Sequence, residues 1–204
     1  MPELPFDAGP LLCAIARSAI ATHVGATDPG FGRSVGENPP ETAGSDPLGG
    51  ENPHPWLDTP GAAFVTLTQQ GALRGCIGSL TAYRSLREDV AANAVNAAVR
   101  DPRFPALTAD ELPDTHIEVS VLSAPEPYPF TDRADALSRL RPGVDGLTLE
   151  YGNHRGTFLP QVWDSLTQPD DFLAHLVRKA GLPAGWWDDD ARLSRYSVKA
   201  FEET

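Results

Sequence analysis

The chain holds two cysteines, Cys13 and Cys76, and their neighbours differ in kind. Cys76 lies in Leu73-Arg74-Gly75-Cys76-Ile77-Gly78, where two glycines bracket it and remove side chains that would shield sulfur and backbone. Glycine inside a strand marks a bulge or the close approach of a ligand or another segment. If this stretch is extended, Arg74 and Cys76 stand two apart and share a face. A guanidinium beside a thiol favours thiolate, the form that acts as nucleophile or metal ligand. Nucleophilic or redox thiol chemistry is therefore one reading. The other is an inert, buried cysteine where glycines let two elements meet, and these residues alone leave both open. Cys13 stands among Leu11, Leu12, Ile15, Ala19 and Ile20 and reads as a small buried hydrophobe.

Other groups with chemical potential are scattered. Glu118 and Ser120 occupy the polar positions of an alternating segment. They read as a solvated sheet face or, if that face borders Cys76, as a general base and its neighbour. Arg103, in Arg100-Asp101-Pro102-Arg103-Phe104, pairs locally with Asp101 or receives a substrate carboxylate through a bidentate contact. His23, His54, His116, His154 and His175 are far apart in sequence, and neither Cys-x-x-Cys nor His-x-x-x-His occurs, so no zinc site is expected. The Asp188-Asp189-Asp190 triplet after Trp186-Trp187 lacks the spaced ligands of a calcium loop. No phosphate loop, dinucleotide fingerprint or Gly-x-Ser-x-Gly elbow is present. These residues leave any cofactor unknown.

The elements that must position these residues are legible from periodicity and turn chemistry. Residues 8–23 carry apolar side chains at helical spacing. Residues 25–55 are crowded with Gly and Pro and nearly free of large apolar side chains, which predicts a long irregular loop. Residues 62–68 and 72–77, flanking Gln69-Gln70-Gly71, predict a hairpin with Thr66 and Thr68 on one face. Ser85-Leu86-Arg87-Glu88 is a capping box opening a helix that runs to Arg100, stopped by Asp101-Pro102. A second such box spans 108–111. Ile117, Val119 and Val121 alternate with Glu118 and Ser120 as a strand. A short helix over 134–140, a hairpin over 146–159 turning at Gly152-Asn153-His154, a helix over 170–180 stopped by Gly181 and a last strand over 196–201 complete the chain. Hairpins with irregularly placed helices predict an α+β fold with a mainly antiparallel sheet.

Composition sets the limits. With 204 residues, 41% of them hydrophobic, the chain suits one large domain over 1–204. No apolar run is long enough to span a membrane, and the N-terminus lacks the pattern of a signal peptide, so a cytoplasmic location is expected. The two cysteines are then expected to be free thiols. A formal charge of −12 argues against duplex nucleic acid, whose affinity comes from basic side chains neutralising phosphates.

The hexapeptide around Cys76 resembles the hallmark of the AMMECR domain family. Residues 63–67, 89–94, 101–104, 117–123, 140–146, 157–163 and 179–182 are similar to further motifs of that family, in the same order. The resemblance covers roughly residues 11–201 apart from the Gly/Pro-rich loop, and is strongest to the bacterial version called AmmeMemoRadiSam system protein A. It implies an α+β fold with a larger sheet-and-helix part and a smaller part beside it. It also implies association with a Memo-like protein and a radical S-adenosylmethionine protein, and it supplies no reaction. It directs attention to the polar and special residues inside the motifs. Cys76, Arg74 and Glu118 become the candidate catalytic set. Gly75, Gly78, Asn93, Asp101, Arg103, Ser120, Gln161 and Trp163 become the candidate substrate-binding set. Two functions compete on this basis: a thiol-dependent enzyme acting on a small molecule, and a non-catalytic scaffold or substrate-delivery partner of the Memo-like protein.

Overall fold

A computed structural model describes residues 4–26 and 53–203. Most of the loop expected over 25–55, namely 27–52, lies outside the described residues. The described chain forms two compact units, one running to Ser120 and resuming at Phe201, the other comprising Val121–Ala200. It passes from the first to the second within one strand and returns within the last.

The first unit opens with α1 (Ala8–Val24), whose buried stripe of Ala8, Leu12, Cys13, Ala16 and Ile20 follows the predicted helical spacing. Gly25 ends it in the left-handed conformation at φ 73°, which costs glycine no Cβ clash. A turn of 3-10 helix (Pro55–Asp58) then leads into β1 (Pro60–Gly61), β2 (Ala63–Gln69), β3 (Ala72–Gly78) and β4 (Arg84–Ser85). β2 and β3 are the predicted hairpin. Its two-residue turn has positive φ at both Gln70 (51°) and Gly71 (79°), the twist that matches flanking strands. β1 pairs with β4, and Ser85 and Glu88 form the predicted capping box of α2 (Leu86–Val99). A 3-10 turn (Ala109–Asp114), with Thr108 and Glu111 as its own capping box, precedes β5 (Thr115–Leu122).

The second unit contains β6 (Glu126–Pro127), α3 (Arg133–Ser138), β7 (Gly146–Tyr151), β8 (His154–Phe158), a 3-10 turn (Pro160–Asp164), α4 (Pro169–Lys179) and β9 (Arg192–Tyr196). The final strand, β10 (Val198–Glu202), returns the chain to the first unit. Two four-stranded sheets result, ordered β10-β5-β2-β3 and β6-β9-β7-β8. The pairings β1–β4, β2–β3, β6–β9, β7–β8 and β7–β9 are antiparallel, as an α+β chain of hairpins should give. Where one terminal strand was expected over 196–201, two stand on either side of Ser197. The polar run Arg192-Leu193-Ser194-Arg195 hides β9 from a periodicity reading, because only alternate residues face the core. His154 also lies in β8 and not in the turn, which Gly152 and Asn153 make alone.

Each unit has its own core. In the first, α1 and α2 pack together, and Val65, Leu67, Ile117 and Val119 on the sheet are buried with Leu86, Val90, Ala94 and Ala97 of α2. In the second, Leu147, Leu149, Phe172, Leu173 and Leu176 surround Trp163, whose ring stacks on Phe172 at 3.8 Å and 2°. Among the described residues, no helix is long and apolar enough to cross a membrane.

Candidate functional site around Cys76

A two-residue turn at Gln70-Gly71 with regular pairing would set Cys76 opposite Val65, facing the core. The observed register differs. Gln69 pairs with Ala72 and Thr68 with Leu73, but Leu67 then pairs with Gly75 and Thr66 with Cys76, leaving Arg74 as the extra residue of a bulge. A one-residue slip exchanges the faces of everything beyond it. Gly75 consequently points to the helix side and Cys76 to the opposite, open face. On that face Thr66 lies directly across, and its hydroxyl donates to Cys76 Sγ at 3.4 Å. The Cys76 side chain is partly exposed.

β3 is an edge strand. At Cys76 its outward backbone groups are taken up by side chains from the loop after α2. Cys76 N–H donates to Asp101 Oδ2 at 2.9 Å, and Arg103 Nη2 donates to Cys76 O at 3.3 Å. Thr66 and Cys76 are therefore a pair without mutual backbone bonds, the kind whose side chains approach most closely. Asp101 and Arg103 act here as a surrogate strand, satisfying an edge that would otherwise invite another chain. Asp101 is 4% exposed and accepts four bonds: from Cys76 N, from Arg103 N at 3.1 Å, and from Arg103 Nε and Nη2 at 2.9 and 2.6 Å. The Arg103 guanidinium holds its carboxyl well below the usual carboxylate range against the opposing effect of burial, with the two backbone N–H donors adding to the same direction. With its lone pairs occupied and its proton affinity low, Asp101 is a poor base and a good brace. Arg103 is shifted upward, chiefly by its bonds to Asp101.

Arg74 does not serve the thiol. As the bulge residue it is turned toward the loop, where it meets the Glu111 carboxylate at 3.2 Å and donates to Pro105 O at 2.8 Å. Glu111 in turn caps Thr108, and those bonds, the backbone one foremost, lower its pKa. The guanidinium associated with Cys76 is that of Arg103. The expectation that Arg74 and Cys76 share a face fails because the bulge interrupts the alternation it assumed.

Both glycines of the motif are explained by packing. A Cβ on Gly75 would collide with the Ala97 carbonyl oxygen of α2, so only glycine lets that helix lie so close. A Cβ on Gly78 would meet the Phe64 ring, which lies across it from the paired position on β2. Asn93 is likewise interior. Its amide donates to Ala63 O, Ser79 Oγ and Asp89 Oδ2. The fully buried Asp89 also accepts from Ala63 N, Ser79 Oγ and Arg84 Nε. This network ties α2 to the start of β2 and the segment after β3, and leaves Asn93 no donor for a ligand.

Glu118 and Ser120 of β5 alternate with the core residues Ile117 and Val119, which puts them on the side of the sheet away from the helices. Glu118 is partly exposed and accepts from Ser120 Oγ at 3.0 Å, while Ser120 itself is buried. Gln161 and Trp163 belong to the second unit. Gln161 is exposed, whereas Trp163 is interior, donating from Nε1 to Asp145 O at 2.7 Å. Trp163 therefore shapes the second core and is not available to a ligand. Among the described residues, no three His, Cys, Asp or Glu side chains group to hold a metal ion.

Cys13 is the counter-case. It is buried in α1 with its sulfur against Phe201 O at 3.6 Å, and its thiol is pushed from 9.0 up to about 11, first by burial and then by Glu203. The residue that sequence reasoning passed over is Thr66. Its position opposite Cys76 depends on the bulge, which only the Gly75 clash with α2 would have betrayed.

A family model described as AMMECR1 matches residues 13–201. A protein of Methanothermobacter thermautotrophicus is 42% identical over 146 residues, which cover 69% of this chain and 74% of its own. Protein LS215_2104 of Saccharolobus islandicus is 43% identical over 162 residues, 74% of this chain and 70% of its own. The crystal structure of uncharacterised protein PH0010 from Pyrococcus horikoshii superposes with a TM-score of 0.70 at 32% identity, covering 96% of this chain and 91% of that one. The family match runs through Cys76 and through both units, and the chain belongs to the AMMECR1 family.

Proposed function

We propose that the chain acts through the Cys76 thiol as a nucleophile toward a small electrophilic molecule. The observation that carries the proposal is the bulge at Arg74, which turns the sulfur out of the core and beneath the Thr66 hydroxyl. Asp101 and Arg103 fix the Cys76 backbone on both sides, so the sulfur is held in one place before any ligand arrives. In this reading Sγ forms an S–C bond as the carbon's π bond opens onto an electronegative atom or its leaving group departs with the bonding pair. The thiol proton passes to water or through water to Glu118. A Memo-like protein and a radical S-adenosylmethionine protein are the proposed partners, supplying the molecule or receiving it. That pairing rests on the family resemblance alone, and a cytoplasmic location is proposed with it.

The packing roles of Gly75 and Gly78 favour a second reading, in which the motif only shapes a docking surface for the Memo-like protein. Alkylation kinetics separate the two. In a Cys13→Ala background, Cys76 should react with iodoacetamide at pH 7 faster than 2-mercaptoethanol does under the same conditions. A rate equal to or below that of the free thiol favours docking, and then co-purification with the Memo-like protein should survive Cys76→Ser.

A further inference from the structure

We propose that Arg103 makes the Cys76 site selective for small monocarboxylates, with its free Nη1 group receiving the carboxylate of a molecule whose electrophilic carbon meets Cys76 Sγ. This rests on the reading of Cys76 as a nucleophile and names the class of molecule it meets. A guanidinium offers five N–H donors in a fixed planar fork. Three are spent: Nε on Asp101 Oδ1, and Nη2 on Asp101 Oδ2 and on Cys76 O. Among the described residues, Nη1 has no acceptor, although the side chain is 53% exposed. Asp101 clamps the other edge, so the free donors are presented in one orientation instead of sweeping through solvent.

The bond from Nη2 to the carbonyl of Cys76 keeps the guanidinium within roughly 8 Å of the same residue's sulfur. One small molecule can therefore touch both. The Phe104 ring, 5.4 Å from the guanidinium carbon, backs the cation on one side. Between anions, the charges favour a single negative charge over two. Asp101 already offsets Arg103, so a dianion such as phosphate would bring excess negative charge against a buried carboxylate. A single carboxylate adds one charge, and one of its oxygens can accept from an Nη1 hydrogen while the molecule's carbon reaches toward the sulfur.

Iodoacetate and iodoacetamide test this directly. They share the reacting carbon and leaving group and differ in the carboxylate. In each case an S–C bond forms, iodide leaves and the thiol proton passes to buffer. Rates at Cys76 are measured by mass spectrometry in the Cys13→Ala protein, and the iodoacetate-to-iodoacetamide ratio is divided by that of 2-mercaptoethanol, an uncharged thiol. The expected normalised ratio is about fivefold or more at low salt. It should fall toward one in Arg103→Gln and be retained in part by Arg103→Lys. A ratio of one or below in the protein with Arg103 intact overturns the assignment without recourse to any variant. Inorganic phosphate slowing iodoacetate labelling more than acetate does, at equal ionic strength, overturns the monocarboxylate class. If iodoacetamide labels Cys76 readily but the ratio is flat, only the role of Arg103 falls. If iodoacetamide leaves the native Cys76 untouched and labels it in urea, the nucleophile reading falls and takes this inference with it.

Discussion

The two faces of the first sheet treat the same functional group in opposite ways. On the helix side, α1 buries Cys13, and its thiol is driven to about 11 by an interior that penalises charge. On the other side, Cys76 stands partly exposed beneath a hydroxyl, its backbone braced by an ion pair. What separates them is one surplus residue in β3. The bulge at Arg74 exchanges the faces of Gly75 and Cys76, giving α2 a glycine to rest on and giving the open face a sulfur. Close helix packing on one side and a partly exposed thiol on the other are thus two consequences of a single register shift.

Breaking the covered side should have the largest effect. Asp89→Ala removes the acceptor at the centre of the network joining α2, Ala63, Ser79 and Arg84. Leaving several interior donors and the partly exposed Arg84 unpaired should cost about 2–4 kcal/mol, read as a drop in the urea midpoint.

Alkaline pH tests the same side through Cys13. Its folded-state thiol holds its proton to about 11, whereas the unfolded thiol releases it near 9.0. Between those values the unfolded state binds fewer protons, so stability falls as pH rises, and below the lower value the contribution is complete. The loss should approach roughly 2–3 kcal/mol by the top of the window and vanish in Cys13→Ala.

Gly75→Ala sharpens the link between the faces, because its methyl group meets the Ala97 carbonyl. A destabilisation of about 1–3 kcal/mol is expected, together with a changed Cys76 labelling rate as the strand shifts. Thr66→Val is the mildest probe. It keeps shape, removes the donor to sulfur, changes stability by less than about 1 kcal/mol and lowers the Cys76 alkylation rate roughly two- to threefold.

Much of this architecture is readable in the sequence. The helical stripe of α1, the capping boxes at Ser85 and Thr108, the Gln70-Gly71 turn and the alternation of β5 are local signals, and each produces the element it predicts. The glycines around Cys76 mark the close approach of α2 and of Phe64. The identity of the neighbours of Cys76 is not readable in the same way, because those depend on register and on long-range pairing. Thr66 faces the sulfur only after a bulge that hairpin counting cannot supply. Arg74, adjacent in sequence, is drawn away by Glu111, while Arg103 arrives from 27 residues on. Asn93 and Trp163 look like site residues in sequence because buried polar groups and buried indoles carry specific bonds, whether or not a ligand exists.

The most direct test of the two-faced sheet is competition between its own cysteines in one sample. Limiting iodoacetamide at pH 7.5 is added to the native protein and, separately, to the protein in concentrated urea, and the labelled peptides are quantified by mass spectrometry. The account predicts label on Cys76 in large excess over Cys13 in the native state, and near-equal labelling once unfolding removes both environments. Equal labelling in the native state, or preferential labelling of Cys13, would contradict it.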